Sequence, residues 1–167
     1  IPHLFRGKMS GRVIVDGIDT KQSSISKLSQ IVGMVFQNPE TQIVASTVIE
    51  EVAFGPENLN LNVEEIRARV EESLAIARLS GKRDFSTTSL SGGEKQALAI
   101  ASVLALRPKV LALDEPTSML DPAGAALVSS IIGELNKKLG MTVVAVDHRV
   151  EWAVNVADRL IVMDEGK

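Results

Sequence analysis

Unbroken aliphatic runs constrain this fold more than any other feature: IVGMVF (31–36), VLAL (110–113), MTVVAV (141–146) and RLIVM (159–163). A strand with one wet face alternates apolar and polar residues, whereas a continuous run suits a strand covered on both faces. Between the last three runs lie helix-length segments, Asp121–Leu139 and about Val150–Ala157. That alternation is the βαβ rhythm of a parallel sheet. Asp121-Pro122 is a sound helix start, an N-cap residue followed by proline in the first turn. The predicted fold class is therefore α/β, with four buried parallel strands and helices over both faces.

Other segments add smaller elements. GRVIVDGID (11–19) reads as a short strand ending in an Asp-Gly turn, in an antiparallel element. From Gln37 to Leu90 the strand signals vanish. Helices are predicted to start at Thr47 and Asn62, each followed three residues later by Glu, and Val63–Leu79 carries an amphipathic pattern. This stretch reads as a helical insert on one edge of the sheet.

The bulk numbers narrow the function classes. The 167 residues are 45% hydrophobic, enough for one domain with a proper core. The longest apolar run, about Ala97 to Leu106, is broken by Ser102 and falls short of the ~20 residues a membrane span needs. A formal charge of −3 implies no general attraction to nucleic acid. With no cysteine there is no disulfide, Cys-ligated zinc or thiol catalysis. The first residue is Ile1, and the chain reads as a piece of something longer.

Chemistry concentrates at the strand ends. VLALDEP puts Asp114 and Glu115 at the carboxyl end of a buried strand, the edge where open parallel sheets bind ligands. Such a pair can be an ordinary solvated turn. It can also be a magnesium ligand, Asp114, beside a general base, Glu115. His148 follows the next strand in AVDHRVEW, and Gln37 ends a strand in VFQNP, where its amide could reach a metal or a water. In SMLD (118–121), Asp121 lies close behind the acidic pair, besides serving as an N-cap.

TSLSGGEKQALAI (88–100) poses a different question. Ser91 and Glu94 form a capping-box pattern, yet Gly92 and Gly93 occupy the first turn, where each costs up to ~1 kcal/mol relative to alanine. An anion held by backbone N–H groups at the positive end of the helix would require that close approach.

In this order the motifs resemble the ATP-binding cassette (ABC) ATPases over essentially the whole chain. LSGGEKQ resembles the family signature, VLALDEP its Walker B strand and SMLD its D-loop; Gln37 matches the Q-loop glutamine and His148 the switch histidine. VGMVFQNPETQIVASTVIEEVAFGPENL (32–59) and DHRVEWA are similar to the ATPases of energy-coupling factor importers, which take up vitamins or transition-metal ions.

The resemblance implies a P-loop NTPase-like (RecA-like) core over 1–36 and 96–167, with a Q-loop and helical signature subdomain over 37–95. It implies ATP and Mg2+ as cofactors, Asp114 and Gln37 at the metal, and Glu115 and His148 in catalysis. Ser91, Gly92, Gly93 and Glu94 would cap ATP held by a second cassette, with Gln37 and Asp121 also at the nucleotide. It further implies a transmembrane partner docked on Gln37–Thr47 at the cytoplasmic face of the membrane, and no nucleic acid.

One family part is missing from these residues. The P-loop pattern G-x-x-x-x-G-K-[ST] could only be sought in IPHLFRGKMSG (1–11), where Pro2 replaces the first glycine and Met9 the Ser or Thr. The expectation is that the P-loop strand and helix lie upstream, and that the 167 residues alone do not hold ATP. A truncated, P-loop-less gene product and a degenerate subunit that supplies only a signature motif are the alternatives. A DNA-repair or chromosome-maintenance ATPase is a third reading, disfavoured by the short insert between Gln37 and Ser91, which has no sustained heptads and no cysteine.

Overall fold

The computed structural model describes residues 9–165, so the failed P-loop match at 1–11 lies largely outside the described residues. The chain opens with a hairpin of β1 (Ile14–Val15) and β2 (Ile18–Asp19), paired antiparallel. Asp16 and Gly17 turn it with positive φ at both positions, as a tight two-residue hairpin requires. A short helix α1 (Ile25–Ser29) then leads into β3 (Val32–Val35).

Three helices follow: α2 (Val48–Asn58), α3 (Val63–Ile76) and α4 (Gly92–Leu104). Their starts are the predicted ones. Thr47 and Glu50 form a complete capping box, as do Ser91 and Glu94, and the Asn62 side chain accepts from the Glu65 N–H. Helix α3 stops at Ile76, short of Leu79, and Arg78 just beyond it adopts a positive φ. The remaining elements are β4 (Val110–Asp114), α5 (Pro122–Leu139) and β5 (Thr142–Val146). Asp121 caps α5 through Gly124 N–H at 2.8 Å, with Pro122 at the first helical position.

The sheet has the order β3-β4-β5 and is parallel throughout. Val35, Leu113 and Ala145 lie in register, so the residues that follow each strand emerge at one edge. One face is packed by α4 and α5 around Leu98, Ile100, Leu111, Ile131 and Leu135, all fully buried. Helix α4 sits so close to β3 that a Cβ on Gly33 would lie 2.1 Å from Val103 Cγ1.

Three expectations are corrected. First, the sheet is not covered on both faces among the described residues. Met34, Val144 and Val146 share the other face and are about half exposed or more. Second, RLIVM (159–163) is not a strand, and Leu160 to Met163 are exposed. A strand needs a neighbour for its N–H and C=O groups, and no described strand lies alongside this segment. Third, Val150–Ala157 is not a helix but turns around one 3₁₀ stretch, Ala153–Asn155. Valines at 150, 154 and 156 are poor helix formers, and the Trp152 indole is committed to Asp147. No helix of the described residues is long and apolar enough to cross a membrane.

Candidate functional site

The carboxyl edge of the sheet gathers Gln37, Asp114, Glu115 and His148. Gln37 follows β3, and its Nε2 donates to Glu115 Oε2 at 2.8 Å and to Ser118 Oγ at 3.1 Å. His148 follows β5, and its Nδ1 stands 3.3 Å from the same Glu115 oxygen. Both neighbours meet Oε2, so Oε1 stays open for a water among the described residues. The backbone at Glu115 is strained, with φ at +43°, and its N–H is pinned to Val146 O at 2.7 Å. Such strain in a side chain other than glycine persists where the surroundings fix it, commonly at functional sites.

Asp114 is exposed at the end of β4. Its carboxylate and the Gln37 carbonyl are hard oxygen donors, and a magnesium ion needs only one or two protein ligands when phosphate oxygens and waters supply the rest. No cluster of three or more His, Cys, Asp or Glu suited to a metal occurs among the described residues. This donor set fits an ion shared with a phosphate and does not fit an all-protein metal cage.

The signature stretch forms the exposed end of α4. The Ser91–Glu94 capping box is made in full, and Lys82 Nζ reaches Glu94 Oε1 at 2.6 Å. The Lys82 ammonium, followed by the Ser91 N–H, holds the Glu94 carboxyl below its ordinary range. The two glycines differ. Gly92 is exposed, and a Cβ there would meet only Leu120 Cδ2, at 3.5 Å. Gly93 is buried, and a Cβ would fall 2.5 Å from Gly124 Cα, the backbone of α5. Gly93 therefore has an intramolecular reason: α4 and α5 touch backbone to backbone just behind their capped ends. Asp121 lies at that junction, its Oδ1 engaged as the N-cap of α5.

The loop after Gln37 is braced from two sides. Asn38 caps a 3₁₀ turn at Pro39–Thr41. The Gln42 side chain bonds Phe36 N–H and Met34 O like a short extra strand beside β3. Glu40 pairs with Lys95 of α4, which holds the Glu40 carboxyl below its ordinary range. Sequence reasoning missed the third brace, Glu51. This buried carboxylate accepts the Val44 and Ala45 N–H groups at 2.8 Å each. Its signal was faint, because a second acid in a first helical turn reads as dipole complement.

The ABC transporter family model matches residues 3–118. The chain belongs to the ABC transporter family. It is 54% identical over 159 residues to the energy-coupling factor transporter ATP-binding protein EcfA1 of Symbiobacterium thermophilum, 95% of this chain and 55% of that protein. Among solved structures it is similar to CbiO1 of Clostridium perfringens, described as part of the ABC transporter complex CbiONQ. The TM-score is 0.87 and the identity 38%, over 94% of this chain and 63% of that one. A further match is an ATP-binding cassette described as dimeric, in a post-hydrolysis state bound to ADP and Pi. Its TM-score is 0.70 and its identity 31%, over 86% of this chain and 65% of that one. The chain spans between 26% and 60% of the length of the first curated relatives it matches.

Proposed function

We propose that this chain is part of an ATP-hydrolysing subunit of an energy-coupling-factor-like importer, powering uptake of a vitamin or metal ion. One observation carries the reading: Gln37, Glu115 and His148, from the ends of three neighbouring strands, meet at one carboxylate oxygen. Glu115 holds an attacking water at its free oxygen and takes its proton as the water adds to the γ-phosphorus of ATP. The bond to the β–γ bridging oxygen breaks, leaving ADP and inorganic phosphate. His148 and Gln37 hold the Glu115 carboxylate in place.

Asp114 and the Gln37 carbonyl would hold Mg2+, which when bound neutralises charge on the phosphates. Ser91 and the Gly92 N–H would face the γ-phosphate of ATP carried by a second cassette, identical or not, with Gly93, Glu94 and Asp121 shaping that face. Residues 37–95 would then act as the Q-loop and helical unit, and 1–36 with 96–167 as the core. The Gln37–Thr47 loop would receive a transmembrane component at the cytoplasmic face of the membrane. Its three braces suit a surface that transmits force. Substitution of Glu40 should weaken coupling of hydrolysis to transport, and unchanged transport across a scan of 38–44 would count against the importer reading.

The catalytic part is tested in the full-length protein with Glu115→Gln. Binding of Mg-ATP should persist while turnover falls by at least ~10²-fold. Near-normal hydrolysis would remove Glu115 from the role.

A further inference from the structure

His148 lies on a loop beyond β5 with 64% of its side chain exposed, yet its ring meets Glu115 at 3.3 Å. An exposed ring outside regular structure needs something to aim it. The neighbouring Asp147 does so, with a side chain only 5% exposed. Its Oδ1 accepts the Arg149 N–H at 2.8 Å, closing an Asx turn with His148 at the centre. Its Oδ2 accepts Trp152 Nε1–H at 2.9 Å and the Thr117 hydroxyl at 3.2 Å. Arg149 adds a second tie, its Nη1 donating to the carbonyls of Thr117 and Ser118 at 3.4 and 3.5 Å.

Thr117 and Ser118 belong to the loop that starts at the strained Glu115. One oxygen of Asp147 thus shapes the turn that carries His148, while the other anchors it to the loop that carries Glu115. We propose that Asp147, fixed by Trp152 and Thr117, is a positioning residue that sets the His148–Glu115 pair in reacting geometry. The proposal rests on the hydrolytic reading of that pair. A charged acceptor with three donors would also stabilise the loop in a protein with no such activity, so the test must separate aiming from mere folding.

The full-length protein is assayed for Mg-ATP hydrolysis as wild type, Asp147→Ala, His148→Ala, their double variant and Trp152→Phe. Asp147→Ala should lower kcat about 10- to 100-fold with KM within about 2-fold, because the residue touches no substrate. In the His148→Ala background the same change should cost less than about 2-fold more, since Asp147 then has nothing to aim. Trp152→Phe keeps most of the ring and loses the N–H donor, so kcat should fall by a smaller factor, about 3-fold.

Trp152 is the only tryptophan of these 167 residues, and its indole N–H resonance, assigned in the full-length protein by its loss in Trp152→Phe, reports the bond directly. It should shift in Asp147→Ala and stay in place in His148→Ala. A fully active Asp147→Ala, an unmoved indole resonance, or a loss that adds in full to His148→Ala would each overturn the proposal. Wild-type protein without hydrolysis would overturn the functional reading and this proposal together. Wild-type hydrolysis with a fully active Asp147→Ala would overturn this proposal alone.

Discussion

The carboxyl edge of the sheet and the exposed end of α4, the two regions proposed for phosphate chemistry, are finished to different degrees. At the sheet edge every chemical side chain but Asp114 has partners among the described residues: Gln37 and His148 on Glu115, Thr117 and Trp152 on Asp147. At the end of α4 the side chains are spent on capping, and Gly92 is exposed, with room for a Cβ beside Leu120 alone. The first is a constellation that can act on what reaches it. The second is a surface that waits for something to be brought. Two such halves in one chain make sense when each serves a different nucleotide.

The largest expected effect breaks the open half. Gly92→Asp puts a charge where the proposed site takes a phosphate, and in the full-length protein hydrolysis should fall by more than ~10²-fold. The melting temperature should hold within about 2 °C, since an acidic residue suits a first helical turn. An active variant would return the signature to a plain capping box.

Gly93→Ala tests the glycine behind it. Its Cβ would press on the Gly124 backbone, and overpacking of this kind costs about 1–3 kcal/mol, or about 3 to 10 °C in melting temperature. Gly92→Ala should instead leave stability unchanged or raise it by up to ~1 kcal/mol in the same assay, since alanine suits a helix better and its Cβ would make only an ordinary contact. Equal losses would mean that the glycines share one role. Glu51→Gln comes next: replacing a charged acceptor of two N–H groups by a neutral one should cost about 1 kcal/mol and speed exchange of the Val44 and Ala45 amides. Unchanged exchange would deny Glu51 its bracing role.

The smallest effect concerns pH. Glu94 is held below its ordinary 4.5 chiefly by Lys82. A carboxyl depressed in the folded state adds stability above the unfolded value and loses it as pH falls through the folded one. Melting followed from pH 5 to pH 3 should show a small loss in wild type that Glu94→Gln lacks. The pair is partly exposed, so the difference should stay below about 1 kcal/mol. Identical curves would leave the cap independent of charge.

How much of this was legible in the sequence follows from the range of the forces involved. Helix starts at Thr47, Asn62, Ser91 and Asp121 are written locally, because the cap and its acceptors lie three residues apart. The strand ends that carry Gln37, Asp114 and Glu115 were readable from aliphatic runs followed by polar residues. The packing role of Gly93 was not legible, since its partner Gly124 lies 31 positions away and only the crossing of α4 and α5 brings them together. RLIVM misled for the opposite reason. Its composition suits a strand, but a strand is a relation between segments, and no described segment pairs with it. Asp147 was hidden beside the more conspicuous His148.

The central claim is that the sheet edge of one chain and the signature end of another complete the same site, and mixed dimers test it most directly. Full-length Glu115→Gln and Gly92→Asp chains carrying different tags are co-expressed, and the mixed dimer is isolated through both tags. Each variant alone should be inactive. In the mixed dimer one site joins an intact Glu115 to an intact signature, while the other site collects both lesions. The account predicts that the mixed dimer regains hydrolysis at about half the wild-type rate per dimer, on the order expected for one of two sites. A mixed dimer as inactive as its parents would contradict it, and would place Gly92 and Glu115 at one site within a single chain.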